Sequence, residues 1–270
     1  MKYAISLPNF GSFANGSLMT DLAVLAEESG WDGFFPWDHI VIEDGLSVAD
    51  PWVLLGAIAA NTDRIAIGPM VTPLPRRRPW VLARQATTID HLSGGRLILG
   101  LGIGFPPQEE FGTFGEPIGD KQRADMLEEG LIILQGMWRG GRFSFDGEHY
   151  SVAPTQFEPR PVRESGIPIW VAGMWPNQRP LRRAAQHQGV YPVKMDMTPW
   201  TPDEVAELAA IIERERGHLD NFDIAIGWSV DAGRRLAADY SAAGATWFIA
   251  GPAPELSLQE VRAMIASGPR

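Results

Sequence analysis

Two short apolar runs, separated by a helical pattern, dominate residues 64–104 of the 270-residue chain. The first run, 65–67, enters a proline-rich turn, and the second, 97–99, enters a glycine-rich turn. This is the pattern of a β-α-β unit, in which a helix connects two parallel strands. Because α/β proteins place their sites where strand ends converge, the two unusual turns are candidates for a functional site.

The same alternation of apolar runs and helical patterns extends along the chain and predicts an α/β fold, a closed parallel (β/α)8 TIM barrel. The eight predicted strands lie near Tyr3–Leu7, Gly33–Pro36, Ile65–Met70, Leu97–Leu101, Ile169–Ala172, Gly189–Pro192, Phe222–Trp228 and Thr246–Ala250. Predicted helices include one that ends at Gly30, one that begins near Pro79, one through Leu127, Leu131 and Leu134, and one from Pro202 to Arg216.

The spacing of the strands is broken once, because about 70 residues separate the fourth and fifth strands whereas the first four start roughly 30 residues apart. We therefore predict one domain over 1–270, with an insertion between these strands and an excursion at about 138–165. Asp146-Gly147 within RFSFDGEHYSV is typical of a hairpin with a two-residue turn. Such a hairpin could shape an active site or merely cover the side of the barrel.

Composition narrows the classes of partner. The formal net charge of −10 argues against nucleic acid and anionic membranes as partners, although a local positive site could still bind an anion. No apolar run approaches the length of a membrane span, and the first residues lack the apolar core of a signal peptide, so we expect a cytoplasmic location. The absence of cysteine and the scattered histidines predict no metal site.

Asp38-His39 follows the second predicted strand, where a barrel of this type carries its chemistry. A histidine with a pKa near neutral can shuttle a proton or donate to a developing anion. The alternative is an aspartate that caps a backbone amide beside a surface histidine. The glycines of GLGIG at 100–104 would allow a ligand to approach the backbone closely, but Phe105-Pro106-Pro107 follows and disfavours immediate entry into a helix.

Two groups of arginines are candidate anion sites. Arg76, Arg77 and Arg78 follow the third strand, and we favour a solvated basic turn there over an anion site. Arg179, Arg182 and Arg183 lie on the helix after Gly173, where the start of the helix could bind a phosphate or the side chains could be plain surface charge.

With these residues in view, the chain resembles the bacterial luciferase-like family of flavin- and coenzyme F420-dependent oxidoreductases. The resemblance runs through PNFG at 8–11, SGW-DG at 29–33, DH at 38–39 and the block from Arg64 to Gly104. It continues through EEFGTFGE at 109–116, IPIWVAG at 167–173 and AAGATWFI at 242–249. The family fold is a (β/α)8 barrel with an insertion, which agrees with the strand pattern.

The resemblance implies a cofactor site and its residues. His39, oriented by Asp38, would be catalytic, and a cis peptide bond at Met70-Val71 would press on the back of the cofactor ring. The implied cofactor-binding residues are Asn9, Met70, Val71, Thr72, Gly102, Gly104, Gly173 and Met174. The phosphate would lie near the helix that follows Gly173.

Coenzyme F420 is the favoured cofactor, with hydride transfer on a small organic substrate. FMN is the alternative, in a monooxygenase that uses reduced FMN and O₂ and depends on a separate flavin reductase. A non-catalytic flavin-binding protein is a further class, and the resemblance also implies a homodimer. A barrel lyase with a Schiff-base lysine is disfavoured because Lys194 is the sole late-strand candidate.

Overall fold

The structure is a computed structural model that describes residues 1–196, 198–228, 237–252 and 255–269. Nine parallel strands form its main sheet, and two antiparallel strands form a separate hairpin. In chain order, the strands are β1 (Lys2–Leu7), β2 (Gly33–Pro36), β3 (Ala66–Ile67), β4 (Thr72–Pro73), β5 (Leu99–Gly102), β6 (Arg142–Asp146), β7 (Ser151–Gln156), β8 (Ile169–Met174), β9 (Gly189–Val193), β10 (Asp223–Trp228) and β11 (Trp247–Ala250).

Helices follow most strands of the main sheet and pack on its outer face. They are α1 (Gly16–Glu28), α2 (Pro51–Asn61), α3 (Pro79–Leu92), α4 (Pro107–Glu110), α5 (Asp120–Trp138), α6 (Gln178–Ala184), α7 (Pro202–Arg216), α8 (helical residues 237–242) and α9 (Leu258–Ala266). None of the helices in the described residues is long and apolar enough to span a membrane.

The main sheet curls, and its two edge strands, β3 and β4, come from one short stretch of the chain. The strand order is β3-β2-β1-β11-β10-β9-β8-β5-β4, with all pairs parallel. Only residues 68–71 separate β3 from β4. A parallel bridge between Ile67 and Leu97 also connects the β3 edge to the residues before β5. The sheet therefore returns toward its own starting edge.

Aromatic side chains fill the inside of the curled sheet. The rings of Phe35, Trp170 and Trp247 contact one another with centroids 5.3–6.0 Å apart. Smaller residues complete this inner cluster, namely Ala4, Met70, Ile98, Ala225 and Ile249. A larger apolar core lies between the sheet and its helices. The inner cluster fills the interior of the curled sheet, so a functional site is expected at the ends of the strands.

Most predicted elements are confirmed, and several boundaries agree to the residue. The second strand is Gly33–Pro36 and the late helix is Pro202–Arg216, as predicted. Gly30 ends α1 with φ of 84°, a conformation that glycine adopts without the steric penalty of a side chain.

The third predicted strand, Ile65–Met70, is wrong as a continuous element. The structure has two short strands there, β3 and β4. Pro69 has no amide hydrogen to donate to a ladder. At Gly68 a Cβ atom would lie 1.7 Å from the carbonyl oxygen of Ile98, so two backbones approach too closely for any other residue.

The hairpin prediction is confirmed, but its two-residue turn is wrong. Asp146 pairs with Ser151, so four residues, 147–150, form the turn. The Glu129 carboxylate, on α5, accepts hydrogen bonds of 2.8–3.2 Å from the backbone amides of residues 148–150. This tertiary contact stabilises the longer turn, and local sequence does not reveal it.

Glu27 provides a test of how the helices anchor the sheet. Its carboxylate accepts hydrogen bonds from three consecutive backbone amides before β3, at 3.1 Å from Asp63, 2.6 Å from Arg64 and 2.7 Å from Ile65. We expect Glu27→Gln to lower the free energy of unfolding by about 1–2 kcal/mol, because a neutral amide accepts more weakly than a carboxylate. Urea unfolding measures the loss. The neighbouring exposed Glu28→Gln is the control, and an equal loss there would contradict this role.

Candidate active site

Asp38 lies just after β2 and is the most heavily bonded carboxylate of the site. It is 2% exposed. Its Oδ2 accepts from Thr72 Oγ1 at 2.6 Å and from Trp52 Nε1 at 3.2 Å. The guanidinium groups of Arg76 and Arg77 also bind it, with Arg77 Nη2 3.1 and 3.0 Å from the two carboxylate oxygens. Both oxygens of the Asp38 carboxylate are therefore bonded to other residues of the chain, so Asp38 is a structural anchor of the site.

The ring of His39 is oriented by Glu110, and the prediction that Asp38 orients it is wrong. Nδ1 of His39 lies 3.0 Å from Oε1 of Glu110. An ionised carboxylate only accepts hydrogen bonds, so Nδ1 carries the hydrogen when the ring is neutral. Nε2 is then the free acceptor, and it forms no hydrogen bond with the described residues. The ring packs edge-on against Phe10 and Trp37.

Asn9 fixes the backbone at His39. Its side chain is fully buried, and its Nδ2 donates to the carbonyl oxygens of His39 at 2.8 Å and Ala49 at 2.7 Å. Its Oδ1 accepts from the backbone amide of His39 at 3.1 Å. The Asn9 amide is thus committed to the loop that carries the histidine.

Glu110 is the functional residue that sequence reasoning missed. It ends the one-turn helix α4 and is fully buried, where it also accepts from the backbone amide of Ile40 at 3.2 Å and forms an ion pair with Arg76. As expected from Phe105-Pro106-Pro107, no helix follows the GLGIG turn immediately. Helix α4 begins at Pro107, the third residue after Gly104, where the missing amide hydrogen of proline costs no helical hydrogen bond. Position 110 falls in the EEFGTFGE block, which was the available signal.

The arginines after the third strand form an internal charge cluster, and the favoured prediction of a solvated basic turn is wrong for two of them. The side chains of Arg76 and Arg77 are 7% and 17% exposed. Arg77 also lies 5.7 Å from the ring centroid of Trp52. We call Asp38, Glu110, Arg76 and Arg77 the charge cluster. Its two guanidinium groups balance its two carboxylates, so no net charge is buried.

The environment of His39 favours its neutral form. Burial and the positive charge of Arg76 lower the pKa of His39 from 6.5 to about 4, against the opposing effect of Asp38. At neutral pH His39 is therefore a neutral imidazole whose Nε2 can accept a proton. Together with Arg76 and Arg77 it lines a cleft of ≈ 320 Å³ that extends to Ile40, Val48, Ala49, Asp50 and Pro51.

Small residues surround the opening at the carboxyl ends of the strands. A Cβ atom on Gly102 would lie 3.4 Å from Val71 Cγ1 and 3.5 Å from Ala172 Cβ, so these residues face the same space. A Cβ on Gly227 would lie 3.2 Å from the hydroxyl of Tyr191. Gly102 is buried, whereas Val71, Ala172, Tyr191 and Gly227 are partly exposed, so this end of the sheet is open to solvent beside these small residues. A flat ligand fits such a glycine-lined surface.

The remaining predicted residues lie around this opening or beneath it. The predicted cis peptide bond at Met70-Val71 is confirmed. The Met70 side chain is buried in the inner cluster, and the hydroxyl of Thr72 is bonded to Asp38. A Cβ atom on Gly104 would lie within 2.9 Å of Phe111 and Pro73, so this glycine serves packing.

Gly173 and Met174 end β8, next to α6. A Cβ atom on Gly173 would lie 2.1 Å from Pro180, so the helix covers this glycine. Two arginines of α6 form surface ion pairs: Arg179 binds carboxylates on α5, and Arg182 lies 3.5 Å from Glu215. Arg183 is buried and binds Glu128 on α5. The interpretation as surface charge therefore suits Arg179 and Arg182, whereas Arg183 serves an internal ion pair.

Comparisons with known proteins agree on one family. A family model described as luciferase-like monooxygenase matches residues 10–265. An F420-dependent glucose-6-phosphate dehydrogenase of Nakamurella multipartita is 33% identical over 64% of this chain and 50% of its own length. The chain spans about half the length of the curated relatives it matches.

Solved structures share the fold at low sequence identity. The coenzyme F420 dependent tetrahydromethanopterin reductase of Methanopyrus kandleri superposes with a TM-score of 0.79 at 17% identity, over 98% of this chain and 97% of the other. A monooxygenase from Streptomyces bottropensis gives a TM-score of 0.77 at 19% identity, over 98% and 96% of the two chains.

Two buried histidines predict a loss of stability in mild acid. Burial also lowers the pKa of His187 to about 4, together with the charges of Arg183 and Arg216. Unfolded histidines bind protons below about pH 6.5, whereas these two stay neutral in the folded protein until about pH 4. We expect the free energy of unfolding to fall between these pH values, by at most about 3 kcal/mol for each histidine. Urea unfolding at stepped pH measures this slope.

The matched test is the double variant His39→Asn/His187→Asn. It should remove most of the slope, and each single variant should remove part of it. A double variant with the wild-type slope would contradict the low pKa values.

Proposed function

Since the chain belongs to the luciferase-like monooxygenase family, we propose that it is an oxidoreductase that binds a flavin-type cofactor, coenzyme F420, at the glycine-lined opening. The substrate is a small organic molecule bound between the opening and the cleft beside His39. The relatives named for F420-dependent activity support this cofactor. The observation that carries the reaction is the neutral His39, with its Nδ1 held by Glu110 and its Nε2 free of the described residues.

A neutral histidine at this place suits the oxidation of an alcohol. When bound, the cofactor would supply an acceptor for the hydride of the substrate C–H bond. His39 Nε2 takes the hydroxyl proton, so the C–O bond becomes a carbonyl and charge balances. The carboxylate of Glu110 stabilises the imidazolium formed on His39. In the reverse direction, His39 returns the proton to the carbonyl oxygen.

The residues around the opening would hold the cofactor by shape. Ala172 and Gly227 are small and partly exposed, and Val71 lies within contact distance of the Gly102 position. Tyr191 adds a polar group that stays protonated, because burial raises the pKa of its hydroxyl to about 12. We place Met70, Thr72, Gly104 and Asn9 in support of this surface, since their contacts are with the chain itself.

An FMN-dependent monooxygenase is the second candidate, and the description of the matching family model favours it. Such an enzyme takes reduced FMN and O₂ and needs a separate flavin reductase. The glycine-lined opening suits either ring, and the neutral His39 could serve as a proton acceptor or hydrogen-bond partner in both. Direct comparison of the cofactors distinguishes the two candidates.

We further propose that the curled sheet is a closed eight-stranded barrel within one domain. The two parts of the third barrel strand are β3 and β4, and the bridge from Ile67 to Leu97 supports closure. Eight barrel strands then remain, with the hairpin of β6 and β7 inserted between the fourth and fifth.

The function is tested by titration with F420, FMN and FAD side by side, followed by turnover assays. We expect micromolar binding of F420. His39→Asn should lower kcat by about 10²–10⁴-fold, because a general base of this type contributes that much, with the Kd for F420 within about threefold. Gly102→Leu should weaken F420 binding at least about tenfold by filling the opening.

His218→Asn, at an exposed histidine after α7, is the control for turnover. Tighter binding of reduced FMN than of F420, with O₂ consumption, would move the assignment to the monooxygenase. Binding of neither cofactor would contradict the proposal.

We also propose that the chain forms a homodimer through α2. This helix carries no charged residue over Pro51–Asn61. Its inner face packs in the core, yet Val53, Ala57 and Ala60 form an exposed apolar stripe on the outer face, with Val53 73% exposed. A helix that is apolar all round is normally buried on both sides. Leu92 on α3, a helix that packs against α2, is also exposed, at 55%.

A second copy of the chain fits this face because the stripe is apolar and uncharged, so two copies can pair across a twofold axis without burying charge. We expect Val53→Glu to convert the dimer to a monomer in sedimentation velocity. Ile132→Glu on α5, where the side chain is 51% exposed, is the matched control and should stay dimeric. A dimer that tolerates Val53→Glu would contradict this interface.

A further inference from the structure

Arg76 is the one member of the charge cluster that touches both of its carboxylates. Its Nη2 donates to a side-chain oxygen of Asp38 and, at 3.2 Å, to the backbone carbonyl oxygen of Asp38. Its Nη1 forms the ion pair with Glu110. Arg77 binds Asp38 through both oxygens but makes no ion pair with Glu110. The two adjacent arginines therefore differ in one contact, the link to the carboxylate that holds His39.

We propose that Arg76 is the positioning residue of this site: it joins the loop after β2 to α4 and presents the Glu110 carboxylate to Nδ1 of His39. Among the described residues Arg76 forms no hydrogen bond with the ring of His39, so it positions the ring through Glu110, while its charge also acts on the pKa of His39. The inference rests on the proposed function only where it concerns turnover.

Geometry makes Arg76 difficult to replace. A planar guanidinium presents several N–H groups in a fixed fork, so one side chain can span two carboxylates that come from different elements. Glu110 is fully buried, and Arg76 is its ion-pair partner among the described residues, apart from the His39 contact. Without that cation, the buried carboxylate would be left without its guanidinium partner, and such a group binds a proton more readily.

The same link determines the protonation of the His39–Glu110 pair. The charged groups that face His39 are Asp38 on its own loop, Glu110 on α4, Arg76 and Arg77 after β4, and Asp50 at the start of α2. With Arg76 present, the charge cluster is balanced, and a proton added to His39 gives it a net positive charge. With Arg76 removed, the added proton restores balance, so the pair binds it at higher pH.

The test is the NMR titration of the His39 ring in the full-length protein, with the signal assigned by its loss in His39→Asn. We expect the wild-type midpoint at about 4. Arg76→Gln should raise it by at least about one pH unit, because a positive charge beside the pair is removed. Arg77→Gln should raise it by less than half of that shift, since Arg77 makes no ion pair with Glu110. Arg76→Lys keeps the charge and should restore most of the low midpoint.

Arg76→Gln removes a buried charge, and Arg76→Met, whose unbranched side chain occupies similar space, is a second neutral variant. Circular dichroism establishes which variants fold, and a raised midpoint in either supports the proposal. A midpoint within about 0.3 unit of wild type in a folded Arg76→Gln or Arg76→Met protein would overturn it. An equal shift in Arg77→Gln would overturn it as well.

Turnover provides an independent measurement. The acid limb of the pH profile of kcat should move with the NMR midpoint in the Arg76 variants, while KM changes by less than about threefold. A wild-type protein without turnover would refute the proposed function and leave the titration to decide the role of Arg76. A kcat profile that stays fixed while the midpoint moves would overturn the link between Arg76 and the reaction.

Discussion

The site depends on one buried interaction, the balanced pairing of two carboxylates with two guanidinium groups. Asp38 follows β2, Glu110 ends α4, and both arginines follow β4, so the charge cluster joins three loops at the carboxyl ends of the strands. Removing one partner from such a group costs about 3–5 kcal/mol because a buried charge remains. Each loop is therefore held by its charges as well as by its packing. Because His39 lies on one of these loops, its position is fixed as well.

The glycines at the strand ends complement this rigid charge cluster with open space. Gly102 and Gly227 face the opening, whereas Gly68 and Gly173 lie where another backbone or ring fills the space of a side chain. Glycine thus lies beside the opening at two positions and in close packing at two others. The position of a glycine relative to the inner aromatic cluster determines whether it lies beside the opening or in close packing, because side chains alternate between the faces of a strand.

Local patterns in the sequence predicted the alternation of strands and helices and the position of His39, whereas the family resemblance implied the cis bond at Met70-Val71. They could not predict which carboxylate meets the histidine ring, because Glu110 is 71 residues from His39 in the chain. Adjacency in sequence favoured Asp38, whereas the fold turns that side chain toward Thr72, Trp52 and the arginines. The prediction of a two-residue turn at Asp146-Gly147 failed for the same reason, since Glu129 stabilises the observed four-residue turn from α5.

Helix α2 connects the site to the proposed dimer face. Asp50 caps its first turn, with its Oδ1 2.8 Å from the amide nitrogen of Trp52 and 2.9 Å from that of Val53. The indole of Trp52 donates to Asp38 and Thr72, while the next residue, Val53, lies on the exposed apolar stripe. Pairing of two copies through Val53 would therefore immobilise the same helical turn that holds Asp38. Because Asp38 binds Arg76, and Arg76 binds Glu110, that constraint would reach the ring of His39 through four adjacent contacts.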